Sequence, residues 1–243
     1  EEGRQWGSFD YSQQEPRLVA HYAAAVDNNF TGADEFIEAY KNEAADFHQI
    51  VADMAGISRT NAKTINLGLF YGMGKAKLAK ELGISKDAAD NLLNKYHSRV
   101  PFVKKLAEAV TGSASKYGFI RTIKGRKCRF DMWEPATFGM NKAMQYEEAK
   151  AIYGNNIRRA FTYKALNRLI QGSAADQTKQ AMINCYKAGY MPLLQIHDEL
   201  CFSINDENDI KGVKEVMENA IENLKVPFKV DVAIGKSWGE AKE

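Results

Sequence analysis

Two aspartates that lie far apart in the chain stand where catalytic acids could meet. Asp10 comes where a predicted strand (residues 6–11) gives way to a helix, and Asp198 interrupts the apolar run LQIHDELCF at the bend of a predicted hairpin. If the two strands are neighbours in one sheet, the carboxylates converge. Two such charges about 4 Å apart repel by roughly 4 kcal/mol at an effective dielectric of 20, so they share a proton or hold a cation. Mg²⁺ suits such oxygen ligands, although either Asp taken alone more often caps a turn.

A second set of residues has the spacing of one helix face. Arg59, Lys63, Leu67 and Tyr71 follow one another at steps of four, and Ser58 is a plausible N-cap. The start of a helix already carries positive potential, so cations placed there indicate an anionic ligand such as a polyphosphate. A solvated basic face is the alternative, but it would not need the apolar continuation into Leu67 and Tyr71.

A third set contains two amides one helical turn apart. Asn167 and Gln171 could donate to the minor-groove acceptors that all base pairs offer, and so test the shape of a pair without reading sequence. They could equally form a side-chain hydrogen bond on an exposed helix.

Composition restricts the class of protein without naming a function. The chain has 243 residues, and its net charge of +2 is too small to indicate nucleic acid unless the cations are clustered. Three widely spaced cysteines argue against a zinc knuckle or a disulfide scaffold and predict a reducing, cytoplasmic location. No apolar run approaches the roughly 18 residues of a membrane span, so no membrane partner is expected.

The order of predicted elements is typical of an α+β fold. Strands are expected near both ends, and residues 34–153 are expected to be almost entirely helical, with a small hairpin around Gly125. A long helix is predicted for residues 156–187, a hairpin for 193–204, an amphipathic helix for 207–223 and a final strand for 228–234.

Taken together, these stretches resemble the polymerase module of family A DNA polymerases, the DNA polymerase I type. DYSQQEPR (10–17) resembles the family's motif A, RTNAKTINLGLFYG (59–72) its motif B and QIHDEL (195–200) its motif C, in the family's order. Gln14, Pro16 and Leu67 resemble phage members, and the resemblance implies the cytoplasm of a bacterium or of a phage-infected cell. The resemblance implies a small antiparallel palm sheet, formed by residues 1–33 and 156–243, with a large helical fingers insertion at 34–155.

The resemblance also implies roles for individual residues. Asp10, Asp198 and the carbonyl of Tyr11 would hold two Mg²⁺ ions for transfer of a nucleotide from a dNTP to a primer 3′-hydroxyl, with Glu199 as an auxiliary acid and Lys63 as a proton donor. The residues implied to bind the incoming nucleotide are Arg59, Lys63, His48, Gln13, Glu15, Leu67 and Tyr71. Those implied to contact primer–template DNA are Asn167, Gln171, His197 and Gly72, with Gln13 also beside the duplex.

The resemblance leaves parts of a right-hand polymerase unmatched. The thumb, the upstream palm strands and a 3′–5′ exonuclease have no counterpart in these residues, so we expect weak extension by the chain alone, or a companion chain that supplies them. Leu67 stands where most relatives have Phe or Tyr, and because Leu cannot donate a hydrogen bond as Tyr can, we expect strong discrimination against dideoxynucleotides. A catalytically silent nucleic-acid-binding remnant and a metal-dependent phosphohydrolase stay open as alternatives.

Overall fold

The computed structural model describes residues 3–26, 33–41, 46–70, 73–137, 139 and 142–242. It divides into two compact units. Unit 1 comprises Glu1–Ala25, Asp34–Asp46 and Ser173–Glu243, and unit 2 comprises Val26–Ala33 and Phe47–Gly172. Among the described residues, no helix combines the length and apolar character needed to cross a bilayer. The α+β class predicted from the sequence is confirmed.

Unit 1 is built on a four-stranded antiparallel sheet. Its strands are β1 (Gln5–Tyr11), β6 (Pro192–Ile196), β7 (Glu199–Ile204) and β8 (Val230–Gly235), in the spatial order β6-β7-β1-β8. Its helices are α1 (Gln14–Val26), α2 (Ala33–Lys41) and α10 (Glu207–Glu218), together with the second half of α9 (Ala165–Lys187). The predicted neighbouring of the first strand and the hairpin is confirmed, because β1 pairs with β7 from Gln5↔Ile204 to Asp10↔Glu199.

One face of this sheet forms the core of unit 1. Phe9, Leu200 and Phe202 are at most 1% exposed, and the rings of Phe9 and Phe202 meet edge to face with centroids 5.4 Å apart. Side chains alternate between the faces of a strand, so the residues between these apolar ones point to the other face. Gly7 lies on the packed face, and a Cβ there would come within 2.6 Å of Ile204 Cγ1, which explains the glycine.

Unit 2 is mainly helical. Its helices are α3 (Phe47–Ala55), α4 (Arg59–Phe70), α5 (Lys75–Leu82), α6 (Lys86–Arg99), α7 (Pro101–Tyr117) and α8 (Tyr146–Tyr153), together with the first half of α9. The predicted hairpin consists of β2 (Phe119–Arg121) and β3 (Lys127–Arg129), with Gly125 at a φ of 78° in its turn.

The sequence prediction was wrong at two helix boundaries and missed one pair of strands. The long helix begins at Ala165 and not at residue 156, because β5 (Ile157–Arg159) pairs with β4 (Trp133–Pro135) and Phe161 has a φ of 61°. The helix expected to reach residue 223 ends at Glu218, because Asn219 caps it: its side-chain amide donates to the Glu215 carbonyl at 2.9 Å.

Candidate active site

Three acidic residues lie side by side across unit 1. Asp10 on β1 is directly opposite Glu199 on β7 and Asp231 on β8. Residues opposite each other in an antiparallel ladder have Cα atoms about 4.5–5.5 Å apart and point to the same face. We call Glu199, Asp10 and Asp231 the acid row. It lies on the face of the sheet opposite the Phe9 core.

Asp198 stands next to this row. It is the second residue of the two-residue turn between β6 and β7, whose ladder ends at the pair Ile196↔Glu199. The first turn residue, His197, has a φ of 53°, which a tight turn of this length requires. Asp198 therefore comes one position before the residue that pairs with Asp10, at the same end of the ladder.

Glu199 is the buried member of the row. It is 3% exposed, and its Oε1 accepts hydrogen bonds from the Ser8 hydroxyl and from Trp238 Nε1 at 3.2 Å. The Cys201 thiol lies 3.4 Å from the same oxygen. A carboxylate buried this deeply is tolerated only when donors surround it. These contacts therefore fix the position of Glu199 within the row. Ser8 and Trp238, like Asp231, were not anticipated from the sequence.

The donor set is compatible with magnesium, although it is not a cage of protein ligands. No group of three or more His, Cys, Asp or Glu side chains in the described part of the chain is arranged to hold a metal ion by itself. Mg²⁺ usually binds one or two carboxylates and completes its shell with water and substrate phosphate oxygens. Asp10 on β1 and Asp198 in the turn that leads into the neighbouring β7 lie at one end of the ladder and fit that requirement.

The start of α1 is anchored within unit 1. Gln13 has a φ of 53°, and Gln14 is buried, where its amide donates to Gln177 Oε1 at 3.1 Å and Thr178 Oγ1 at 3.2 Å on α9. Glu15 lies partly buried in the first turn of the helix. Pro16 is in the same turn, where its missing N–H has no helical acceptor to lose.

Tyr11 is held by its side chain on the opposite side of the sheet from the acid row. Its hydroxyl donates to the Met217 carbonyl of α10 at 2.6 Å, and burial raises the pKa of that hydroxyl. This contact fixes the last residue of β1.

In unit 2, α4 presents two cations on its surface. Arg59 and Lys63, which we call the cation pair, are exposed, while Ala62 and Ile65 on the same helix are buried. Ser58 caps the helix as predicted, because its hydroxyl accepts from the Asn61 N–H at 3.1 Å. Leu67 is partly buried. The predicted roles of Tyr71 and Gly72 fall on residues outside the described part of the chain.

His48 is tied to α4 by a buried chain of hydrogen bonds. His48 Nδ1 lies 3.1 Å from Asn66 Nδ2, and Tyr96 Oη lies 2.6 Å from Asn66 Oδ1. Asn66 and Tyr96 are 0% exposed and His48 is 9% exposed. Three helices, α3, α4 and α6, are linked in this way. No local pattern in the sequence indicates this link.

The predicted DNA-contacting residues lie at different places. Asn167 is partly buried and Gln171 exposed, both in the first half of α9, and His197 is exposed in the β6–β7 turn. The basic β2–β3 hairpin packs beside α9, because Arg126 donates to the Gly172 carbonyl at 3.0 Å and Arg168 donates to the Arg129 carbonyl at 2.9 Å.

Comparison with known proteins identifies the family. The model of DNA polymerase family A matches residues 1–240. A DNA-directed DNA polymerase of Pseudomonas phage M6 is 37% identical over 99% of this chain and 39% of its own length. DNA polymerase I of Lactococcus lactis subsp. cremoris is 36% identical over 97% of this chain and 26% of its own length.

A solved structure has the same fold. The polymerase domain of Pol1 from M. smegmatis, in complex with DNA primer-template and dNTP, superposes with a TM-score of 0.76 at 32% identity. All of this chain is covered, and 41% of that one. The chain thus spans well under half the length of these relatives. The match over residues 1–240 shows that the chain belongs to DNA polymerase family A.

Proposed function

We propose that this chain carries the nucleotidyl-transfer centre of a template-directed DNA polymerase. The observation that carries the proposal is the register of β1 against β7. It places Asp10 directly opposite Glu199, and Glu199 is the residue that follows Asp198. The two aspartates are separated by most of the chain, and strand pairing makes them neighbours. Family membership supplies the reaction class, addition of a dNTP to a primer 3′-hydroxyl.

Asp10 and Asp198, with the carbonyl of Tyr11, would hold the metal ions. Two Mg²⁺ ions, when bound, favour ionisation of the primer hydroxyl and stabilise charge on the pyrophosphate leaving group. The aspartates orient these ions, and the buried Glu199 holds the strand that follows Asp198. Because Ser8 and Trp238 fix Glu199 from the sheet and from the C-terminal segment, the neighbouring Asp198 and the paired Asp10 would be held in place before substrate arrives.

The cation pair would bind the triphosphate. Arg59 and Lys63 are exposed and one turn apart near the N-terminus of α4, where the helix dipole adds to their potential. Anionic charge that grows on the leaving group is stabilised by such fixed cations. Lys63 can in addition donate a proton to the pyrophosphate, and His48 would add one more donor.

The remaining predicted residues would position the substrates. Glu15 would pack under the sugar and exclude a 2′-hydroxyl, with Tyr71 as its partner, and Leu67 would contact the sugar. Gln13, Asn167, Gln171 and His197 would contact the primer–template duplex, and Tyr71 with Gly72 would border the templating base. Residues 1–33 and 156–243 then act as palm and residues 34–155 as fingers. A companion chain supplying a thumb remains part of this proposal.

One assay separates the possible functions. The chain is incubated with Mg²⁺, all four dNTPs and a labelled primer, either annealed to a template or alone. We expect extension by the complementary nucleotide only with template, and none with EDTA. Phosphate or pyrophosphate release without template would identify a phosphohydrolase. DNA binding with no extension at any chain concentration, also when a companion chain supplies the thumb, would identify a silent binding module.

A further inference from the structure

A buried hydrogen-bond chain ends at one of the residues proposed to bind the triphosphate. We propose that Tyr96 and Asn66 are positioning residues that hold the His48 imidazole with its proton on Nε2, as a neutral donor for a triphosphate oxygen. The inference rests on the proposed function for its ligand. The predicted His48 tautomer depends only on hydrogen bonds within the protein and not on the nucleotide.

Tyr96 sets the donor-to-acceptor direction of the hydrogen bonds that run from it through Asn66 to His48. Within the described part of the protein, Asn66 is the sole hydrogen-bonding partner of the Tyr96 hydroxyl, at 2.6 Å. Tyr96 is 0% exposed, and burial raises the pKa of its hydroxyl, so the O–H keeps its proton and must find an acceptor. Asn66 Oδ1 is that acceptor, which fixes the amide so that its NH₂ faces His48.

The amide then sets the histidine tautomer. An NH₂ group only donates, so His48 Nδ1, at 3.1 Å, must accept and cannot carry a proton. In a neutral ring the proton is therefore on Nε2. The same logic governs metal-binding histidines, where a partner on one ring nitrogen fixes the chemistry of the other.

The position of Asn66 on α4 places the donor, His48 Nε2–H, beside the cation pair. Asn66 is seven residues after Arg59 and three after Lys63, so it lies only about 20° around the helix from Arg59. His48 packs against that face through Asn66, and its ring meets Phe47 edge to face with centroids 5.9 Å apart. A neutral ring adds a donor beside this helix without adding a third positive charge to those of Arg59 and Lys63.

The first test measures the tautomer in the unaltered protein. The ¹⁵N chemical shifts of the His48 ring distinguish a protonated nitrogen from a bare one, and we expect protonated Nε2 and bare Nδ1. A proton on Nδ1 would overturn the proposal. This result does not depend on DNA synthesis, so it stands apart from failure of the proposed function.

The second test removes the tyrosine hydroxyl. Tyr96→Phe should mix the two His48 tautomers and raise the KM for dNTP about 10-fold, with kcat within about twofold, since changes to such supporting residues typically cost 10–100-fold. Tyr117→Phe, which alters an exposed tyrosine of the same unit, should change neither quantity.

A double variant identifies the route of the effect. If Tyr96 acts through His48, the KM of His48→Ala/Tyr96→Phe should equal that of His48→Ala alone. A further 10-fold rise in the double variant would show that Tyr96 affects binding by another route and would reject its positioning role.

Discussion

The two units hold their functional residues by different means. In unit 1, the acid row and Asp198 are brought together by backbone pairing between strands that lie 189 or more residues apart, such as Asp10↔Glu199. In unit 2, the cation pair owes its arrangement to the repeat of a single helix, and the link to His48 runs through side chains. The carboxylates proposed to share metal ions are thus fixed by a sheet, whereas the cations proposed to bind the triphosphate are fixed by a helix surface.

The difference indicates where each site tolerates change. A one-residue slip in the register of any of these strands would turn that strand's member of the row to the opposite face, so the acid site depends on the integrity of the sheet. The exposed cations lack that dependence, and their loss should weaken binding without affecting folding.

The largest effect is expected at the acids. Asp198→Asn retains the size of the side chain but removes the charge that a cation requires, so single-nucleotide incorporation should fall by roughly 10³-fold. Quenched-flow primer extension at saturating Mg²⁺ measures this loss. Glu222→Gln, an exposed acid of the same unit outside the sheet, is the matched control and should retain full activity. Equal rates for the two variants would refute a role for Asp198.

An intermediate effect is expected at the cation pair. Lys63→Ala should lower kcat/KM for dNTP by about 10- to 100-fold, because one charged contact to the phosphates is lost. Its unfolding midpoint should remain unchanged, since the side chain is exposed. Lys77→Ala, an exposed lysine on α5, serves as control, and a similar loss there would mean that overall charge and not the helix face matters.

A smaller effect, on stability, is expected from the support of Glu199. Ser8→Ala removes a buried donor to this carboxylate, so the free energy of unfolding should decrease by about 2 kcal/mol. Chemical denaturation measures it, with Ser115→Ala, an exposed serine of α7, as reference. Trp238→Phe should cost less, because Trp238 is 43% exposed. If Ser8→Ala and Ser115→Ala were indistinguishable, the hydroxyl would not support Glu199.

The smallest effect concerns acid stability. Burial, reinforced by Lys225, lowers the pKa of His21 in unit 1, and burial together with Lys104 lowers that of His97 in unit 2. Each imidazole binds its proton more readily in the unfolded chain, so stability is full above about pH 6.5 and falls as the pH drops below it. His21→Gln should flatten this decrease, measured as unfolding free energy between about pH 7 and pH 5. An unchanged slope would contradict the assignment.

Sequence reasoning succeeded where the signal is local or periodic. The strand before Asp10, the hairpin around His197 and Asp198, the turn at Gly125 and the Ser58 cap all depend on residues close in the chain. The helical spacing of Arg59 and Lys63 was visible for the same reason. The three ordered motifs supplied the family, which the match over residues 1–240 confirms.

What the sequence could not supply depends on long-range pairing. Asp231 joins the acid row only through the register of β8 against β1, and Trp238 reaches Glu199 from 39 residues away. The helix predicted for residues 157–159 is absent because these residues form β5 and pair with β4. Phe161, which follows β5, has a positive φ. The Tyr96–Asn66–His48 chain links three helices whose order in the sequence carries no sign of contact.

The central claim is that Asp10 and Asp198 act as one unit on shared cations. A double-mutant cycle tests it: the incorporation rate is measured for Asp10→Asn, Asp198→Asn and the double variant at equal DNA occupancy. Residues that act together give non-additive losses, so the double variant should be no slower than the slower single variant. Losses that multiply in the double variant would show that the two carboxylates work independently and would contradict the account.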